Sequence, residues 1–197
     1  MKTAWFIRHA ESQSNVGKQT DRPESIELTE QGHKQAKALS HNINAMPGLI
    51  VTSPYLRTKQ TALPLAKKYP DVKHEEWSVH EFTYLSPQKY QNTTVEQRIP
   101  WAKKYWEKSD TYYCDGDGAE SFADFMKRAL QTKHRIDEQT EEFVIVFSHM
   151  QFINALLWLK DKGSFTLDNV SSQDMQRFRS QLLNNQLANC EIVQYRS

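Results

Sequence analysis

A chain of 197 residues and 23.1 kDa can bury a substantial core without metals or disulfides, and two domains would be a tight fit. Its 25 Lys and Arg against 24 Asp and Glu leave a net charge of +1, which excludes the broad basic field of a general nucleic-acid or membrane-surface binder. Any phosphate affinity has to be local. A content of 38% hydrophobic and 11% aromatic residues excludes a mostly disordered chain, and no run is long and apolar enough to cross a bilayer.

Cys114 and Cys190 are too few for a disulfide scaffold and match no metal-ligand spacing. The N-terminal stretch before Arg8 is too short for the apolar region of a signal peptide, so the expected compartment is the cytoplasm.

In chain order, Ala4 to Ile7 is an apolar run that ends in Arg8-His9, a buried strand emptying into a polar loop. After Thr29, a plausible cap, Ala36, Leu39 and Ile43 recur at helical spacing. Leu49-Ile50-Val51 predicts a second strand. Ser53 then fits a cap and Pro54 a first helical position for a helix running to about Lys68 and containing Pro64. Val72 to Val79 is weaker strand material. The stretch from Phe82 to Asp117 is aromatic and irregular, with a helical pattern over Thr93 to Lys108, and reads as a cap or lid inserted in one domain that spans the chain. Glu120 to Gln139 returns to helical period. Phe143 to Phe147, five consecutive apolar residues, predicts a central strand covered on both faces. It stops at Ser148-His149, and helices over Phe152 to Leu159 and Asp174 to Leu183 and a strand over Cys190 to Tyr195 complete the chain.

Strands alternating with helices predict a three-layer α/β/α sandwich with a mostly parallel sheet, whose ligands bind beyond the carboxyl ends of the strands. Three apolar runs stop at basic residues: Arg8 and His9, Arg57 shortly after Ser53, and His149. If these strands are parallel neighbours, two arginines, two histidines and two helix N-termini converge on one rim, which suits a phosphoryl group. A neutral imidazole is a competent nucleophile, and adjacent guanidiniums would keep it unprotonated. Arginine can hold two phosphoryl oxygens at once. A leaving alkoxide then needs a proton from a nearby acid.

These motifs resemble the histidine phosphatase superfamily, also called the phosphoglycerate mutase-like family. The family's Arg-His motif, with a Glu and an Asn following, reads here Arg8-His9-Ala10-Glu11-Ser12-Gln13-Ser14-Asn15. Its Leu-Thr, Gly and Gln-Ala element appears as Leu28-Thr29-Glu30-Gln31-Gly32-His33-Lys34-Gln35-Ala36. The Ser-Pro-x-x-Arg-Thr-x-Gln-Thr-Ala element is complete from Ser53 to Ala62. Gly118-Ala119-Glu120-Ser121 with Arg128 is similar to a Gly-Glu-Ser and Arg element with one residue inserted, and Ser148-His149 matches the second histidine.

The resemblance implies a phosphoglycerate mutase-like fold and a phosphatase with no cofactor and no metal. His9 would become a phosphohistidine. Arg8, Arg57 and His149 would bind phosphoryl oxygens, with Asn15 an accessory contact and Glu81 the proton donor. The glycines that usually follow this Glu are replaced by Phe82-Thr83-Tyr84-Leu85-Ser86-Pro87. Ala10 stands where glycine is common, which implies a negative φ and a slightly tighter pocket. His33, His41, His74, His80 and His134 lie in polar segments and are expected to face solvent.

The paired-arginine element of the mutases is absent, which favours net hydrolysis of a small phosphomonoester, or of a phosphorylated protein, over mutase transfer. No nucleic-acid or membrane partner is expected. A histidine acid–base pair acting on phosphodiesters would show a His-x-Thr/Ser pattern twice, and it does not occur. A non-catalytic phosphate-binding module is disfavoured because both histidines and both arginines are present.

Overall fold

The computed structural model describes residues 2–163, 166 and 170–196. The strands are β1 (Thr3–Arg8), β2 (Leu49–Thr52), β3 (Lys73–Glu76), β4 (Phe143–Ser148) and β5 (Ile192–Arg196). The helices are α1 (Glu30–Asn42), α2 (Leu56–Lys68), α3 (Val95–Lys108), α4 (Phe122–Glu138), α5 (Met150–Lys162) and α6 (Ser172–Asn184). The strands form one sheet in the order β3-β2-β4-β1-β5, parallel except for β5, which runs antiparallel beside β1. The expected α/β sandwich is therefore present, with β4 at its centre.

The uninterrupted apolar run of β4 follows from that central place. Val144 and Val146 point to one face, among side chains of α4, α5 and α6, while Ile145 and Phe147 point to the other, against Leu39 of α1, Ile43 just after it, and Ala62 and Leu65 of α2. The weak strand signal around Val72 has an equally local cause: β3 is an outer strand whose Lys-His-Glu-Glu sequence leaves it largely exposed, and charge blunts such an edge.

Caps set the helix starts. Thr29 accepts from the Gly32 amide at 2.9 Å, Ser121 caps α4, and Thr94 and Gln97 form a reciprocal capping box on α3. The start of α2 differs from expectation. Tyr55 is its N-cap residue, with no side-chain cap bond, and the helix begins at Leu56 rather than at Pro54; the Ser53 hydroxyl accepts from the Tyr55 amide at 3.2 Å and also meets Thr58 and His149.

Residues 82–117 lie on the α4–α6 side of the sheet. Phe82 stacks on Phe125 at 4.3 Å between centroids, and Tyr84, Tyr105 and Trp106 extend this aromatic cluster. The topology leaves a crevice at one edge. Helix α1, after β1, packs on one face of the sheet, whereas α5, after the neighbouring β4, packs on the other. The chain thus diverges at the carboxyl ends of β1 and β4, where Arg8 pairs with Ser148, and ligands bind at such divergence points.

Candidate active site

The loop from His9 to Asn15 is braced by residues of the family-like motifs. The Ala10 amide donates to Thr61 Oγ1 at 3.0 Å, the Glu11 amide to Gln35 Oε1 at 2.8 Å, and the Leu28 amide to Gln60 Oε1 at 2.8 Å. Thr29 donates to the Glu11 carboxylate at 2.6 Å. Helix α1 approaches so closely at Gly32 that a Cβ there would lie 2.0 Å from the Glu11 carbonyl oxygen, and only glycine fits. Ala10 keeps a negative φ as expected, but its methyl does not tighten the pocket. It packs instead into a small cluster with Leu28 and Ala36.

His9 is buried, and its Nδ1 lies 2.7 Å from the Ala10 carbonyl. A carbonyl only accepts, so Nδ1 carries the proton and Nε2 keeps its lone pair. His149 lies beside it, with ring centroids 5.1 Å apart. The Arg57 guanidinium donates to His149 Nδ1 at 3.0 Å, which leaves the His149 proton on Nε2, donated to Ser53 Oγ at 2.8 Å. Ser53 in turn donates to Thr58 Oγ1 at 2.8 Å, and Thr58 to the Tyr55 carbonyl at 2.7 Å. His149 was expected to touch phosphoryl oxygens directly. In the structure both of its ring nitrogens serve the protein, and it is wholly buried behind Arg57.

Arg57 also donates to the Pro23 carbonyl at 2.6 Å, and its guanidinium covers the Tyr55 ring at 4.9 Å. Arg8 donates to the Leu187 carbonyl, while its Nε is buried without a partner. Asn15 Oδ1 accepts from the Ser12 amide and hydroxyl, each at 3.0 Å, which orients the side chain at the loop's exposed end. Arg8, His9, Asn15, Arg57 and Glu81 all line one cavity of about 740 Å³. The structure thus brings five of the six residues singled out in sequence to one cavity, with His149 directly behind it.

Glu81 Oε1 accepts from the Gln151 amide in the first turn of α5 at 2.9 Å and from the Phe82 amide at 3.4 Å. A clamp not assigned a role from sequence holds the segment carrying it. Arg128 donates from Nε to Glu120 Oε2 at 2.9 Å and from its terminal nitrogens to the carbonyls of Ser78, His80 and Glu81 at 2.9, 2.8 and 3.2 Å. Glu120 also accepts from the Thr83 amide at 3.0 Å. Two further residues were given no role at the site from sequence: Ser53, which there opens the Ser-Pro motif and fits a cap, and Gln151, whose Oε1 is buried at the cavity without a partner.

Electrostatics follow from burial and two cations. Burial is the larger cause holding the His9 imidazole well below 6.5, and Arg57 and then Arg8 push the same way against the Ala10 carbonyl. His149 is lowered likewise, by burial and then Arg57. Glu81 is raised above 4.5 because burial outweighs the opposing pull of Arg57 and Arg8. Of the histidines expected at the surface, His33, His41, His74 and His134 are exposed, but His80 is half-buried with its Nδ1 enclosed and unpartnered. Burial, aided by Arg128 and Arg57, lowers it to about 3. Among the described residues no cluster of His, Cys, Asp or Glu could hold a metal ion, and no helix is long and apolar enough to cross a membrane.

Comparison with solved structures agrees with this fold. A mycobacterial glucosyl-3-phosphoglycerate phosphatase bound to VO3 superposes with a TM-score of 0.71 at 22% identity, over 98% of this chain and 92% of that one. A phosphoserine phosphatase mutant from Entamoeba histolytica, in complex with phosphoserine, gives 0.68 at 22% identity, over 98% and 90%. The α-ribazole phosphatase of Shigella flexneri gives 0.67 at 19% identity, over 89% and 84%. At these identities the likeness shows the fold. No curated protein matches the chain. The model of the histidine phosphatase superfamily (branch 1) matches residues 4–178, most of the length, and the chain belongs to that family.

Proposed function

We propose that the protein hydrolyses small phosphomonoesters through a phosphohistidine formed on His9. One observation carries this reading: His9 ties its Nδ1 to a backbone carbonyl, so its Nε2 lone pair is left for a cavity that it shares with two guanidiniums and a carboxyl of raised pKa. Nε2 attacks the phosphorus while Arg8 and Arg57 hold the equatorial oxygens and Asn15 adds a donor at the rim. The ester P–O bond breaks, and Glu81 in its acid form gives its proton to the departing oxygen. The Glu81 carboxylate then takes a proton from the water that attacks the phosphohistidine. The P–N bond breaks, and neutral His9 and protonated Glu81 return.

In this reading His149 is a positioning residue. It accepts from Arg57 and so fixes the fork that meets the phosphoryl group. Hydrolysis is favoured over mutase transfer because the paired-arginine element is missing. The phosphatases of similar fold support small metabolites as the substrate class. No metal or cofactor is needed, since guanidiniums supply the positive charge. The test is turnover of a chromogenic aryl phosphate together with rapid quenching above acidic pH, where phosphohistidine survives. The wild-type protein should turn over and carry phosphate on His9, and His9→Ala should do neither. Turnover by His9→Ala equal to wild type would overturn the mechanism.

A further inference from the structure

We propose that the outer half of the cavity selects a phosphomonoester whose alcohol carries a flat, largely apolar ring; for the phosphate end this rests on the reading above. A volume of about 740 Å³ is far more than a phosphoryl group and a short alkyl chain fill, and it lies in the range that encloses a ring-bearing ligand. The shape of the excess comes from α3. Val95, Ile99, Ala102 and Trp106 recur at helical spacing, so they lie along one face, and all four line the cavity. Val95 and Ile99 are 47% and 56% exposed. A helix facing a core would bury such a stripe, so this one lacks a partner directly above a cationic floor.

The adjoining wall is aromatic. Tyr84 and Tyr90 line the same space, and Tyr84 and Trp106 stand 5.6 Å apart between centroids. Two guanidiniums that line the same cavity pack on these rings: Arg179 lies 5.0 Å from the Trp106 centroid and Arg98 lies 4.4 Å from that of Tyr90. Rings fixed in this way offer faces and edges against which a second ring packs, whereas a short alkyl chain would leave them wet. Phosphate below and ring above match a ligand that is anionic at one end and flat and apolar at the other.

The experiment compares naphthylethyl phosphate with ethyl phosphate, which share a primary-alcohol leaving group and differ only in the body. The ring ester should have a kcat/KM higher by roughly 10²-fold, the size expected when an aromatic face leaves water. Ile99→Asp, at an exposed position where folding is not at risk, should lower the ratio of the two kcat/KM values by about tenfold or more, and Trp106→Ala further. Because the readout is a ratio, general damage to the phosphate site cancels. A wild-type ratio within about threefold of unity, with both esters hydrolysed, overturns the ring site and leaves the phosphatase reading standing. Calorimetric titration with the two non-hydrolysable phosphonates separates the other failure. If neither ester turns over but the naphthylethyl phosphonate binds about 10²-fold more tightly than the ethyl one, the ring site stands and the phosphatase reading falls. Equal binding, or none, overturns the ring site.

Discussion

Arg128→Met tests whether Glu81 is placed by the clamp behind it. The Arg128 and Glu120 side chains are only 11% and 16% exposed, so this is not a surface pair worth a few tenths of a kcal/mol. The substitution keeps an apolar stem against Phe125 and Phe152, whose rings lie 5.1 and 5.0 Å from the guanidinium, and removes every charged hydrogen bond. It leaves Glu120 without its cation and the carbonyls of Ser78 and His80 without the Arg128 donor, while the Glu81 carbonyl keeps only the Thr83 hydroxyl at 3.3 Å. Breaking a buried pair from one side costs about 3–5 kcal/mol, which for a domain of this size lowers Tm by roughly 6–20 °C. Arg128→Met combined with Glu120→Gln should recover part of that loss, because the stranded charge is gone and the Thr83 amide keeps an acceptor. Activity should divide by substrate: alkyl phosphates, which need a proton on the leaving oxygen, should slow more than activated aryl phosphates. Denaturant titration and steady-state kinetics with both ester types read the two effects. A loss under about 1 kcal/mol with an unchanged alkyl-to-aryl ratio would refute the clamp.

Arg57→Ala should reduce kcat by on the order of 10² or more with aryl phosphates, and a loss under about tenfold would remove Arg57 from the transition state. Glu81→Gln should slow alkyl esters more than activated aryl esters in the same assay; equal slowing would move the acid elsewhere. Burial lowers His9, His149 and His80 together, so the unfolded chain takes up protons that the folded one refuses. Their stabilising contribution is complete above 6.5 and is lost as pH falls below that value toward the folded pKa values, about 3 in the case of His80. Glu81 has the opposite sign, since its raised carboxyl costs stability as pH rises above 4.5. Urea midpoints measured from neutral pH downward should therefore fall below pH 6.5 in the wild type and fall less in His80→Gln; parallel curves would show that His80 does not contribute.

The cationic rim was legible because each of three apolar runs ends at a basic residue, and parallel pairing of β1, β4 and β2 brings those ends level. Capped helices such as α3 were equally legible, since Thr94 and Gln97 carry their own signal. What escaped depends on partners distant in sequence. Ser53 before Pro54 reads as a helix cap from its neighbours alone, and its bond to His149, 96 residues away at the start of α5, is set only by the fold. His80 sits in a polar segment, yet Arg128 pulls its backbone inward through the carbonyl 48 residues away. Residues 82–117 showed aromatic content but not which rings would join the core. Tyr105 is buried within it, while Trp106, next to it on α3, packs against the cluster and also lines the cavity.

Burial accounts for the protonation pattern more fully than the cations do. The proposed reaction needs two neutral groups at once, an unprotonated imidazole and a protonated carboxyl, although Arg8 and Arg57 favour only the first. On His9 the guanidiniums and desolvation act together, while on Glu81 they oppose each other and desolvation prevails. Loosening the water-excluding walls should therefore affect the two groups differently. Admitting solvent weakens the single influence that keeps Glu81 protonated, whereas His9 retains the help of two fixed charges. Activity should accordingly be lost first from the alkaline side, as Glu81 ionises at lower pH, and the acidic limb set by His9 should move less. This ordering depends on both guanidiniums remaining beside the imidazole, and the hydrogen bond from Arg57 to His149 secures one of them there.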